Sequence, residues 1–170
     1  MGQMDILDLF FEYPTRYFQI RGIAKILKIP KTTVGYHIND LIKKRLILKN
    51  DKGVFPRFIA NATSELYLFQ KKQAFQRRLL ESGLLDYLEE ECDPRSIILF
   101  GSFAKGEYDH NSDIDLFVQS KDTSLELAKY EKKLKHKVNI LFEVDIFKLS
   151  PELLNNIING IKLRGYIKVK

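Results

Sequence analysis

Along the first sixty residues, apolar positions recur at helical spacing in three short stretches and then at strand spacing in two. Ile6, Leu7, Leu9 and Phe10 predict a helix over residues 5–12, closed by Pro14. Ile20, Ile23, Ala24 and Leu27 form one stripe of a second helix over 18–28, with Arg21, Lys25 and Lys28 off that stripe. A third helix begins near Pro30, which suits a first helical position because its missing N–H has no partner there. Val34, Ile38, Leu41 and Ile42 form its inner stripe; Lys31, Thr32, Thr33, Tyr36, His37 and Asn39 lie on the other face. The runs 46–49 and 54–58 then predict a hairpin around Asn50-Asp51-Lys52-Gly53, where Gly53 can take a positive φ. Pro56 confines its strand to a sheet edge. Residues 63–80 predict a longer connecting helix broken at Ser82-Gly83, and Leu84, Leu85 and Leu88 mark a short amphipathic piece before Pro94.

The rear of the chain changes character. Ile97-Ile98-Leu99-Phe100 is a continuous apolar run, as expected of a strand buried on both faces, and it runs directly into Gly101-Ser102. Glycine lets the backbone turn sharply and approach a ligand, and Ser102 can begin a helix that offers its hydroxyl and free amides to a phosphate. Ten residues later, Asp113-Ile114-Asp115-Leu116-Phe117-Val118 alternates acids with apolar residues. In a strand, Asp113 and Asp115 share one face and Ile114, Leu116 and Val118 the other. Two such carboxylates repel each other without a cation, and hard oxygen ligands suit magnesium beside substrate phosphates. A further strand is expected over 141–149, with Asp145 completing a triad if it pairs beside the first; Glu143 shares its face.

Two resemblances give these patterns a function. Residues 19–47 resemble bacterial and archaeal regulators with a winged helix-turn-helix, through Arg21-Gly22-Ile23-Ala24-Lys25 and Thr33-Val34-Gly35-Tyr36-His37-Ile38. That resemblance implies a third helix in the major groove of double-stranded DNA. Lys31, Thr32 and Thr33 would meet phosphate, Tyr36 and His37 would reach bases, and Lys52 would lie on the wing. Gly101-Ser102 followed by Asp113-Ile114-Asp115 is similar to the signature of polymerase-beta-like nucleotidyltransferases, in particular the minimal nucleotidyltransferase (MNT) group, over residues 96–169. The resemblance implies an NTP substrate, Mg2+ (or Mn2+), and transfer of a nucleoside monophosphate to a hydroxyl or phosphate. Asp113, Asp115 and Asp145 would be the catalytic and metal-binding acids, and Gly101, Ser102, Lys105 and Ser112 would bind nucleotide. Phe103 stands where many members carry arginine, leaving Lys105 as the nearest cation. A helix is expected to follow the third acid over residues 151–161.

The expected fold class is therefore α+β. Residues 1–60 form a winged helix-turn-helix, 61–92 are connecting helices, and 93–170 form a polymerase-beta-like domain with a mixed sheet and flanking helices.

Charge sharpens the division. Residues 1–80 hold 15 Lys and Arg against 6 Asp and Glu, a net +9, while residues 81–170 hold 13 against 16, a net −3. A basic front and an acidic rear fit modules with different partners. The connecting helix could pair with its copy in a homodimer. A lone Cys92 excludes an intrachain disulfide and reads as a buried apolar residue in a reducing compartment. No apolar run approaches the roughly 18 residues of a membrane span, and Asp5, Asp8 and Glu12 are wrong for a signal peptide, so the cytoplasm is the expected address. His110 and His136 read as solvated surface residues. Two other functions remain open: a regulator that binds NTP without transferring it, and an antitoxin-like partner of a HEPN-type protein, which MNT domains resemble.

Overall fold

A computed structural model describes residues 2–168. Val169, the last residue of the second resemblance, lies outside them. The chain divides into two compact units, Met1–Lys71 and Lys72–Lys170.

The first unit contains α1 (Gln3–Glu12), α2 (Ile20–Leu27), α3 (Lys31–Lys43) and an antiparallel hairpin of β1 (Ile47–Asn50) and β2 (Arg57–Ala60). The apolar stripes face inward: Ile6, Leu7, Phe10, Ile23, Val34, Ile38 and Leu41 are all buried. The ring of Phe18 stands edge-on to Phe10 at 5.1 Å. Lys28, in left-handed conformation, ends α2, and Pro30 is the N-cap of α3 rather than its first helical residue, so the helix begins one position later than expected.

The hairpin differs more from its pattern. Its second strand starts at Arg57, so Val54, Phe55 and Pro56 belong to the loop, where Val54 and Phe55 are exposed. Pro56 does not mark a strand edge; it precedes the strand. Phe18 also exchanges two backbone hydrogen bonds of 2.8 Å with Phe58, adding a bridge that no apolar run announces. Such a bridge needs only one residue, too short for alternation to register.

The helix α4 (Glu65–Ser82) begins in the first unit and ends in the second. Gly83 breaks it before α5 (Leu84–Cys92). There follow β3 (Ser96–Phe100), α6 (Gly101–Lys105), β4 (Ile114–Val118), α7 (Ala128–Leu134), β5 (Val138–Phe142), a 3-10 turn over Ile146–Lys148, α8 (Pro151–Ile158) and β6 (Ile161–Gly165). The sheet order is β5-β4-β3-β6. β3 runs antiparallel to both β4 and β6, while β4 and β5 are parallel, which makes the sheet mixed. The unit is α+β, with helices flanking that mixed sheet.

Two expectations need correction here. The third acidic segment is a strand over Val138–Phe142, not over 141–149. The helix after it stops at Ile158, and residues 161–165 form β6, which fills the sheet beside β3. Acids set between β-branched residues fit a strand and a loop equally well over so short a stretch, and the bounds of the helix rest on the resemblance alone.

On one face of the sheet, Ile98 and Phe117 pack with Ile146 and Ile157, backed by Leu141, Leu153 and Leu154. Asp115 pairs with Phe100 on β3 and with Asn139 on β5, so it continues the Phe117 face to a polar end. Among the described residues, no helix is long and apolar enough to cross a membrane. Cys92 is half-buried rather than fully buried, and that partial burial pushes its thiol pKa up, leaving it protonated and unreactive at neutral pH.

Candidate nucleotide site and basic face

The acidic end of the sheet is assembled from a turn, a strand end and a neighbouring strand. β3 ends at Phe100, and Gly101 opens α6 with φ of 70°. An added Cβ there would lie 2.5 Å from Oδ2 of Asp115. Glycine is therefore required twice, for the left-handed backbone and for the close approach of the carboxylate. Ser102 follows in the first turn of α6, half-buried, and Lys105 lies exposed in its last turn.

Phe103 points the other way. It is fully buried, stacked at 4.1 Å on Tyr108 and packed at 4.2 Å against Phe75. This residue anchors α6 in the core, so the arginine expected at its position has no counterpart on this helix. A helical period separates residues that look inward from those that face the acids, and Phe103 is on the inward side.

The loop from Gly106 to Asp113 is held by its own polar groups. Ser112 Oγ accepts from the backbone N–H of Asp109 at 2.9 Å and donates to Asp109 Oδ1 at 3.3 Å. Asp109 Oδ1 also accepts from Asn111 N–H at 2.9 Å. Ser112, expected to bind nucleotide, thus spends its hydroxyl on closing this turn. Its carbonyl accepts from His136 Nδ1 at 2.8 Å; a carbonyl only accepts, so Nδ1 carries the hydrogen. His136 is buried, with its ring edge-on to Phe103 at 4.9 Å, and is not the solvated residue its lysine-rich surroundings implied. His110 is exposed in the loop.

Asp113 is exposed just before β4, and Asp115 is half-buried on it. One amide reaches both: Asn139 Nδ2 donates to Asp115 Oδ1 at 3.2 Å and to Asp113 Oδ2 at 3.4 Å. Both carboxylates therefore lie around a common point on the surface. A single magnesium ion, with oxygen ligands at about 2.1 Å, fits the donor chemistry of these two groups plus phosphate oxygens.

Asp145 does not join them. It lies beyond β5, where its Oδ1 caps the 3-10 turn by accepting from Phe147 N–H at 3.1 Å, and its own N–H donates to Glu143 Oε1 at 2.9 Å. It lines a cavity of about 340 Å³ with Arg95, Gln119 and Lys168. Gln119 follows the far end of β4, four residues past Asp115, or about 13 Å along a strand. The expectation failed because Asp145 was placed by its apolar neighbours in sequence, whereas parallel pairing with β4 set Asn139 opposite Asp115. The alternation Val138, Asn139, Ile140 carried the needed signal, but an amide does not stand out as an acid would.

Residues 83–165 match the family model described as Polymerase beta, Nucleotidyltransferase. The match starts at the glycine that breaks α4 from α5 and runs through the last residue of β6, so it takes in the whole four-stranded sheet. It supports a nucleotidyltransferase-type domain over those residues. No curated protein matches the chain.

In this nucleotidyltransferase-type domain, Gly101→Ala should separate fold from site. Holding alanine at a positive φ costs about 1–2 kcal/mol. The contact at 2.5 Å is with a side-chain oxygen, so the carboxylate rather than the backbone would give way. The expected result is a modest drop in melting temperature and, if the acids hold Mg2+ for a nucleotide, a more than tenfold loss of that affinity. Unchanged affinity in titrations would show that the Gly101–Asp115 approach is only a packing feature.

The first unit presents a basic face. Lys31 and Thr32 are exposed in the first turn of α3, Tyr36 is exposed on its second, and Thr33 and His37 are half-buried, with the rings of Tyr36 and His37 edge-on at 5.4 Å. Lys52 is exposed in the hairpin loop, where its carbonyl accepts from Arg57 Nη2 at 2.7 Å. Arg21, set aside in the sequence as a residue off the stripe, lies over the exposed ring of Phe55 at 5.6 Å. With Lys31 these two line a cleft of about 280 Å³ between the helices and the hairpin loop. Asp40 takes no part in that cleft's lining. It accepts from Lys44 at 2.7 Å and from Gln3, and the Lys44 bond, then the Gln3 bond, hold its carboxyl below the usual range.

Proposed function

We propose that this chain binds an NTP with Mg2+ at the acidic end of its second unit and transfers a nucleoside monophosphate to an acceptor. In the same proposal the first unit targets the chain to double-stranded DNA. The observation that carries the nucleotide reading is the placement of Asp113 and Asp115 around one amide nitrogen, next to a glycine turn that admits the Asp115 carboxylate. The family match over residues 83–165 supports the nucleotidyltransferase type of the reading.

In this reading Asp113 and Asp115 hold the ion, which neutralises phosphate charge when bound. Gly101 keeps Asp115 in position, Ser102 offers its hydroxyl and amide to a phosphate, and exposed Lys105 supplies a mobile positive charge at the edge. Nucleotide should bind only with the divalent ion, since triphosphate and two carboxylates repel each other without it. Titration of a fluorescent NTP with and without Mg2+ checks the binding, and incubation of the protein with labelled NTPs, Mg2+ and cell lysate checks the transfer. Magnesium-independent binding sinks the metal part of the reading.

A second reading, nucleotide binding without transfer, is favoured by one observation. The residue opposite Asp115 on β5 is an amide, which cannot take a proton from an attacking hydroxyl at neutral pH. Bound nucleotide with no label transferred would favour this reading.

DNA binding by the first unit is supported by its three helices followed by a hairpin, by its net charge and by the exposed Lys31, Thr32 and Lys52. Phosphate contacts release counterions, so affinity should fall linearly with salt on logarithmic axes, with a slope of about −0.9 per contact. Lys31→Ala and Lys52→Ala should each flatten that slope by about 1 and weaken all sequences alike. Tyr36→Ala or His37→Ala should instead erode preference between sequences. Gel shifts of genomic fragments across a salt series decide it, and absence of any shift at low salt would make this unit a protein-binding module.

A further inference from the structure

The acidic end of the sheet holds an amide where the pairing of strands leaves room for a third acid. Asn139 is exposed on β5, in register with Asp115, and its NH2 group donates to both carboxylates. Two N–H dipoles aimed at two negative groups offset part of their mutual repulsion. The next acids on the segment, Glu143 and Asp145, come after β5 has ended; Glu143 accepts from Asp145 N–H and Asp145 from Phe147 N–H. Among the described residues, no three His, Cys, Asp or Glu are placed to hold a metal ion together.

The count of carboxylates sets how many divalent ions a protein site can retain beside a triphosphate. Two carboxylates balance one doubly charged ion; a second ion finds only a neutral amide oxygen, a weaker ligand than an ionised carboxylate oxygen. Resting on the nucleotide reading above, we propose that Asn139 limits this site to one protein-bound divalent ion, and that a carboxylate at position 139 would create the site for a second. Asn139 thereby becomes the residue that sets the ion stoichiometry of the domain. Asparagine and aspartate have nearly the same shape, so replacing one by the other at this exposed position changes charge and donor character without repacking the core.

The test uses Mn2+, counted through the paramagnetic signal of the free ion, with the full chain and α,β-methylene analogues of ATP, GTP, CTP and UTP, which block transfer. Wild type should bind one Mn2+ per chain with an analogue, Asn139→Asp should bind two, and Asn139→Ala should stay at one. Two ions on wild type, or one on Asn139→Asp, overturns the proposal. If no analogue binds wild type, the nucleotide reading fails, and Mn2+ alone still decides the role of Asn139. At least tenfold tighter Mn2+ binding by Asn139→Asp than by wild type supports it, and equal affinity overturns it. Thermal melts of the three proteins establish that all are folded.

Discussion

Converting Asp113 and Asp115 together to asparagine should lower magnesium-dependent NTP affinity by more than about 100-fold. Even residues one step removed from a bound metal are worth about 10–100-fold in its affinity, and these two would be the ligands themselves. The fold should not suffer. Asp113 is exposed and Asp115 half-buried, and both lie around the same amide nitrogen. Without metal, their removal relieves a like-charge repulsion, so the double variant should melt at the same temperature as wild type or slightly above it. Added Mg2+ and nucleotide should then raise the melting temperature of wild type only, because a ligand stabilises the state that binds it. Calorimetry with and without the ligands reads both effects. Nucleotide affinity retained within a few-fold would remove the acids from the binding site.

The largest effect on stability is expected from Gly165→Ala. Gly165 ends β6 with φ of 65°, and a Cβ built there would stand 1.9 Å from the carbonyl oxygen of Arg95 and 2.8 Å from its carbonyl carbon. Unlike the contact at Gly101, this one is with backbone, so no side chain can swing aside. The β3–β6 edge would have to part near Ser96, which pairs with Gly165, and the bond from Tyr166 N–H to Arg95 O at 3.2 Å would be strained. Positive φ alone costs about 1–2 kcal/mol, and the forced separation should bring the total to about 3 kcal/mol or more. For a unit of this size each kcal/mol is worth about 4–8 °C, so the fall should exceed about 12 °C in thermal denaturation. A shift of only a few degrees would mean that the strand end is free to move.

The sequence carried the inner stripes of α1, α2 and α3, because a helix that must bury one face repeats its apolar residues at a fixed period. It also carried Gly101 and the Asp113–Asp115 pair. A strand fixes which residues share a face, and a turn that must approach a carboxylate leaves glycine as its mark. Local chemistry of this kind is written in consecutive residues. Asn139, by contrast, stands in an alternating segment but does not stand out as an acid would, and Asp145 draws attention to the wrong place. Which residue of a later segment comes to lie beside Asp115 depends on the register of parallel pairing between β4 and β5, a choice made by packing and backbone hydrogen bonds across more than twenty residues. The same holds for His136, drawn into the core against Phe103 although its sequence neighbours are lysines, and for the Phe18–Phe58 bridge. The sequence by itself determined the front helices, the strand into Gly101 and the paired acids, but not the later strands. Only the tertiary structure decided that the third position at the acidic site is an amide, because long-range register is a property of the assembled sheet and not of any one strand.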